Sequence, residues 1–124
     1  MLEKGLTAQS VTTVSAESSA AVMGSGDMPV FATPAMVALM ENAAMSAVAK
    51  HLEEGMTTVG SEMNTTHIKP SAIGAVITAT AVLTGVEGRK LTFTVGARDT
   101  EGIIGEGVHV RYIVNRERFM SKLK

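Results

Sequence analysis

The sequence has no cysteine, which excludes disulfides, thiolate metal sites and a cysteine nucleophile and suits a reducing cytoplasm. Tryptophan is absent, and the only aromatics are one tyrosine and three phenylalanines, too few rings for recognition of nucleic acid by stacking. Charge of one sign is missing as well. Eleven basic and twelve acidic residues leave a net charge of −1, so no strong field points to nucleic acid or a membrane surface. There is no GxSxG, no HExxH and no P-loop, and "GSG" at Gly24–Gly26 lacks the helix start that a phosphate cradle needs. Neither a metal nor a cofactor is expected. The opening "MLEKGLTAQSVTTV" lacks the apolar core of a secretory signal. The longest hydrophobic run, Val30 to Ala49, is broken by Pro34, Glu41 and Asn42. A central acidic residue makes bilayer insertion costly, so no membrane helix is expected. At 124 residues the chain fits one domain, 1–124, long enough to bury a proper core.

What is present is a change of period. "GLTAQSVTTV" is rich in threonine and valine and predicts a strand over Gly5–Val14. "AAVMGSGDMPV" predicts a short strand running into a glycine-rich loop. From Thr33 the pattern is helical: Thr33 is a good N-cap, Pro34 sits where its missing N–H costs nothing, and Gly55 is placed to end a helix running to about Glu54. Ala43, Ala44, Ala47 and Ala49 let that helix lie close to a sheet, and sparse charge makes it apolar on most of its circumference. After Met56 the period becomes two. "MTTVGSEMNTTHIKP", "AIGAVITATAVLTGV", "RKLTFTVGARD" and "IIGEGVHVRYIVN" predict four long strands, with turns at Glu87-Gly88 and Asp99–Gly102. Leu91, Phe93, Val95 and Ala97 share one face, and Val108, Val110, Tyr112 and Val114 share another. "RERFMSKLK" ends the chain in a helical turn or two. The fold class is α+β: one long central helix wrapped by a five- to six-stranded antiparallel sheet.

Glu41 is the one charge in the nineteen residues from Val30 to Val48. A carboxylate inside an apolar helix must be paired, protonated or turned to a cavity, and the alternative is a place on solvent or a subunit seam. Thr33 lies eight residues earlier, about 80° around the axis, so the two side chains border one cavity at different heights. His67, in "NTTHIKP", lies on the strand after the helix and is either a satisfied core histidine or the third member of a polar trio. His109 and Arg111 share a strand face. An inward arginine there would hold a phosphate or carboxylate; a solvated face is the simpler expectation. Met36, Met40 and Met63 are expected to line a plastic apolar pocket.

"VFATPAMVALME" followed by "TVGSEMNTTHIKP", with the "VEGRKL" turn and the spaced Gly, His and Arg of "GVHVR", closely resembles the fluoroacetyl-CoA thioesterase family of the hot-dog superfamily, from about Val30 to Arg118. The resemblance implies a hot-dog fold and a homodimer, or a dimer of dimers, with sheets paired edge to edge and active sites at the interface. It implies an acyl-CoA substrate, a catalytic trio of Thr33, Glu41 and His67, and substrate contacts at Gly60, Phe31 and Arg111. Glu41 would attack the thioester carbonyl or act as base toward water, His67 would move a proton, and Gly60 N–H would face the oxyanion. Members selective for fluoroacetyl-CoA carry an aromatic lid ahead of the helix. Here that segment is "SAAVMGSGDMP", without an aromatic residue, so the expectation is a general short-acyl thioesterase in the cytoplasm. A hot-dog acyl-CoA binder or sensor without turnover is the alternative. A hot-dog hydratase is a third class, and its Asp/His arrangement is not found.

Overall fold

The computed structural model describes residues 2–123. In chain order it has β1 (Thr7–Thr13), a 3-10 turn (Ala16–Ser18), α1 (Ala20–Met23), α2 (Thr33–Ala49), β2 (Met56–Thr65), β3 (Val76–Glu87), β4 (Lys90–Arg98), β5 (Ile103–Asn115) and α3 (Arg116–Ser121). The five strands form one antiparallel sheet in the order β1-β3-β4-β5-β2. The sheet curls around α2, so the α+β expectation holds with five strands rather than six.

Met36, Met40, Ala43, Ala44, Ala47 and Val48 are the buried residues of α2. Their spacing of four, three, one, three and one is the stripe of a 3.6-residue period. Alanine in the middle of that stripe lets the helix axis approach the sheet, where Ile77, Ala79, Ala81 and Leu83 of β3 and Leu91, Phe93, Val95 and Ala97 of β4 present the matching face. Ala49 is exposed, as are Ala38, Asn42 and Met45, so within one chain the helix is covered on one side and open on the other. Met36 and Met40 are core residues with no exposure, and Met63 packs against the same core. They fill space under the helix instead of lining a pocket.

Several boundaries differ from the sequence reading, each for a local reason. "AAVM" is the four-residue helix α1, capped by Ser19, whose side chain accepts from Val22 N, and closed by Gly24 in the left-handed region. Four residues are too few for hydrophobic period to register. The long helix stops at Ala49, with Lys50 as its C-cap. Gly55 does adopt a left-handed φ of 83°, but as the last residue before β2. At the other end Ala32 is the N-cap and no side chain caps the helix, so Thr33 is the first helical residue and its hydroxyl is not used as a cap.

Strand β2 carries a bulge. Gly60 pairs with Arg111 and Glu62 with Val110, so Ser61 is the extra residue. A bulge reverses the in/out alternation beyond it. Past the bulge, Gly105 and Gly107 of β5 let the end of β2 come close: a Cβ at Gly105 would strike the Thr66 carbonyl, and one at Gly107 the Asn64 carbonyl. Thr66 N and Ile68 N then bond to the carbonyls of Glu106 and Ile104. That pinned segment carries His67, which lies beyond the strand and not on it.

Candidate active site

Two polar clusters sit along the β2 side of α2. The first is at the helix start. Thr33 Oγ1 and His67 Nδ1 are 2.7 Å apart, and the buried Phe31 ring meets the imidazole edge-on at 6.4 Å between centroids. His67 Nε2 is buried with no hydrogen-bond partner among the described residues. Burial lowers the His67 pKa from its ordinary value, so the neutral ring is favoured and can accept a proton. A cavity of about 260 Å³ opens beside this pair, lined by Ala20, Val30, Phe31, Thr33, His67 and Lys69 among others. Lys69 is not free to act there, since its ammonium lies 2.6 Å from Asp99 Oδ2.

The second cluster surrounds Glu41, in the middle of α2. Gly60 stands against the carboxylate so closely that a Cβ there would be 2.6 Å from Glu41 Oε2. Arg111 Nη1 faces the same oxygen at 3.9 Å. The guanidinium is held from elsewhere: Nε donates to Thr58 Oγ1 at 2.8 Å, Nη2 to the Thr58 carbonyl at 2.9 Å, and Nη1 to His109 Nε2 at 3.2 Å. His109 in turn donates from Nδ1 to the Glu62 carbonyl at 2.7 Å.

The burial of these groups inverts the sequence expectation. Arg111 and His109 are buried, at 6% and 1% exposure, so the face expected to be solvated is the inner one. Of the four residues placed on the apolar face, Val108 and Tyr112 are exposed, Val114 is half-buried and Val110 is buried. Reading alternation alone cannot tell which phase is inward, and two polar residues at the inner positions hid it. The carboxylate, by contrast, retains 41% side-chain exposure. The costly buried charge is the guanidinium, and burial lowers the Arg111 pKa from its ordinary value while Glu41 opposes that shift.

The expected trio is therefore divided. Thr33 meets His67, whereas Glu41 meets Gly60 and Arg111, and the two helix positions are about 12 Å apart along the axis at 1.5 Å per residue. His109 and Thr58 were not among the expected site residues. The signal for His109 was its place two residues from Arg111 on one strand. Thr58 carried none. No group of three or more potential metal ligands exists among the described residues, and no helix there is long and apolar enough to cross a membrane.

Comparison with known proteins gives this arrangement its family. Residues 14–117 match the family model described as fluoroacetyl-CoA-specific thioesterase. The fluoroacetyl-CoA thioesterase of Streptantibioticus cattleyicolor is 41% identical over 95 residues, 77% of this chain and 68% of that protein. Among solved structures, the fluoroacetyl-CoA thioesterase FlK superposes with a TM-score of 0.92 at 32% identity, covering 99% of this chain and 96% of that one. A threonine-to-serine variant of that enzyme in complex with acetyl-CoA gives 0.93 at 31% identity over 98% and 96%. A thioesterase superfamily member from Thermus thermophilus gives 0.90 at 27% identity over 98% and 90%. The chain belongs to the fluoroacetyl-CoA-specific thioesterase family, on the hot-dog fold.

Proposed function

We propose that this protein hydrolyses short-chain acyl-CoA thioesters to the free acid and CoA, working in the cytoplasm as a homodimer. The observation that carries the reading is the Glu41 carboxylate: it is set against a glycine on an edge strand and faced by a guanidinium that does not grip it. A structural glutamate would be expected to pair tightly with the nearest cation, as carboxylates and guanidinium groups do at 2.7–2.9 Å. At 3.9 Å from Arg111 Nη1 its lone pairs stay available for chemistry.

Two routes use this carboxylate. In one, Glu41 attacks the carbonyl, the C–S bond breaks, and CoA leaves as a thiolate that takes up a proton; water then cleaves the resulting anhydride. In the other, Glu41 draws a proton from water as that water adds to the carbonyl. Both end with the free acid and a proton on sulfur; water's oxygen goes to the acid in the second route, and in the first to the acid or to Glu41 according to which anhydride carbonyl it adds to. His67, kept neutral by burial, takes the proton of the attacking water or returns it to the thiolate. Thr33 orients the ring through its 2.7 Å contact. The bare backbone at Gly60 is open to the thioester carbonyl, and its N–H is our candidate oxyanion donor.

The dimer reading rests on the edge. Among the described residues strand β2 pairs only with β5, so its outer N–H and C=O groups have no partner strand there, and it carries Gly60. Pairing two such edges about a two-fold axis would satisfy them and enclose the site. Light scattering is expected to give twice 12.9 kDa. A monomer at micromolar concentration would remove the interfacial site.

Thiol release from acetyl-, propionyl- and fluoroacetyl-CoA, followed with a thiol-reactive dye, tests both function and selectivity. Residues 19–29 form α1 and a loop without an aromatic side chain, so nothing there is built to sense one fluorine. A methylene in a small pocket changes specificity by about 10- to 200-fold. The three kcat/KM values are therefore expected to fall within about two to three decades of one another, the scale of that effect. A preference of about a hundred-thousand-fold for fluoroacetyl-CoA, far beyond that scale, would overturn this. Binding without thiol release would make the protein an acyl-CoA sensor.

A further inference from the structure

We propose that His109 is a positioning residue for this site: held between the Glu62 carbonyl and Arg111, its ring fixes the guanidinium opposite Glu41 without letting it close on the carboxylate. The proposal rests on the thioesterase reading for its kinetic part only. Its geometric part stands on the contacts themselves.

The protonation of His109 follows from its neighbours. The Glu62 carbonyl can only accept, so Nδ1 must carry the hydrogen of that 2.7 Å bond. The Arg111 guanidinium can only donate, so Nε2 must be bare to receive Nη1 at 3.2 Å. One neutral tautomer meets both demands; the imidazolium still donates from Nδ1 to Glu62 but has no lone pair at Nε2 for Arg111. The surroundings favour the neutral ring: burial lowers the His109 pKa most, and the Arg111 charge adds to that. The Glu62 carbonyl bond and the Glu41 charge act the other way. Glu62's own side chain is exposed. From β4 the facing residue is Phe93, with ring centroids 6.2 Å apart, and it brings no charge.

Three anchors then hold Arg111: Thr58 Oγ1, the Thr58 carbonyl and His109 Nε2. Both Thr58 anchors lie on one side of the guanidinium plane's pivot, at Nε and Nη2, whereas Nη1 is the nitrogen nearest Glu41. His109 is its only anchor among the described residues. Take that acceptor away and the guanidinium can tilt about its two Thr58 bonds, which brings Nη1 the last ångström onto Glu41 and ties up the lone pair that the reaction needs. The role is to withhold a salt bridge.

Substitution separates this from ordinary packing. His109→Phe keeps a ring beside Phe93 but has no acceptor; His109→Gln keeps an amide oxygen that can receive Nη1. The phenylalanine variant is expected to lose about 10- to 100-fold in kcat, the scale of a misplaced reacting group, with KM nearly unchanged. The glutamine variant should recover most of that loss. In a Glu41→Gln background His109→Phe should change turnover little, because the group it protects is already gone. Wild-type kcat in a folded phenylalanine variant, equal losses in both backgrounds, or glutamine no better than phenylalanine would each overturn the proposal. Nitrogen-15 spectra of wild-type His109 at neutral pH should show protonated Nδ1 and bare Nε2, and the opposite tautomer or an imidazolium would also overturn it. This readout applies even where His109→Phe does not fold. A wild-type protein that releases no thiol would sink the thioesterase reading, while the tautomer would still decide whether His109 holds the arginine.

Discussion

Replacing Glu41 by glutamine is expected to leave the protein folded and to lower acyl-CoA turnover by at least about 100-fold, the low end of what a general acid or base contributes. The amide keeps the size of the side chain and its place against Gly60, but it is neither a nucleophile nor a base. Stability should change little. The side chain is 41% exposed and 3.9 Å from its nearest cation, so it is weakly coupled, and Arg111 keeps its bonds to Thr58 and His109. A carboxylate buried without a partner would be costly, and its removal would bring relief. With the burial on Arg111 instead, relief has no source, and an unchanged melting temperature is the outcome to look for. A folded variant with near wild-type thiol release would make Glu41 structural.

The parts of the fold that sequence made legible are those set by long periodic segments. The β4 face from Leu91 to Ala97 could be read from spacing because nothing at those positions conflicts with burial. For α2 the run gave the helix and the buried Ala43, Ala44 and Ala47, but its one-sided stripe, with Met36 and Met40 in the core and Ala49 exposed, was not legible. β5 resisted for the opposite reason. Its inner face at the site is His109 and Arg111, and hydrophobicity points the wrong way wherever a buried polar group is satisfied by bonds that only the tertiary structure supplies. The same limit applies to Thr33. Its type and its place before a proline suggest a cap, yet Ala32 takes the cap position and the hydroxyl goes to His67. That choice depends on where residues 64–67 pass, which is set by Gly105 and Gly107 some forty residues away in sequence. Glu41, Thr33, His67 and Arg111 stood out from the residues themselves; Gly60, Phe31 and the roles came from resemblance. What joins them came from the contacts: Thr33 with His67, and Gly60 with Glu41 and Arg111.

Gly60→Ala separates folding from activity most sharply. Gly60 does not adopt a positive φ, so alanine meets no backbone strain, and an extended strand accepts it readily. Such changes at compatible positions stabilise by about 0.4–1 kcal/mol through the unfolded chain. The new methyl nonetheless arrives 2.6 Å from Glu41 Oε2 and 3.3 Å from both Arg111 Nη1 and His109 Cε1. Of these the carboxylate is the one that can give way: it is the end of a flexible, partly exposed side chain, while Arg111 is anchored at Thr58 and His109 is clamped from both sides. Glu41 therefore shifts outward, and the tight 3.3 Å contacts with the anchored Arg111 and His109 offset the stability that alanine gains through the unfolded chain. A shift of about 1 Å in a reacting group costs about 100-fold in rate, and the methyl also covers the backbone that we assign to the carbonyl of the substrate. The expected variant is as stable as wild type and about 100-fold slower, on that scale. Thermal melts and thiol release on one preparation decide it: a folded Gly60→Ala protein with wild-type kcat would show that the thioester does not react at this carboxylate.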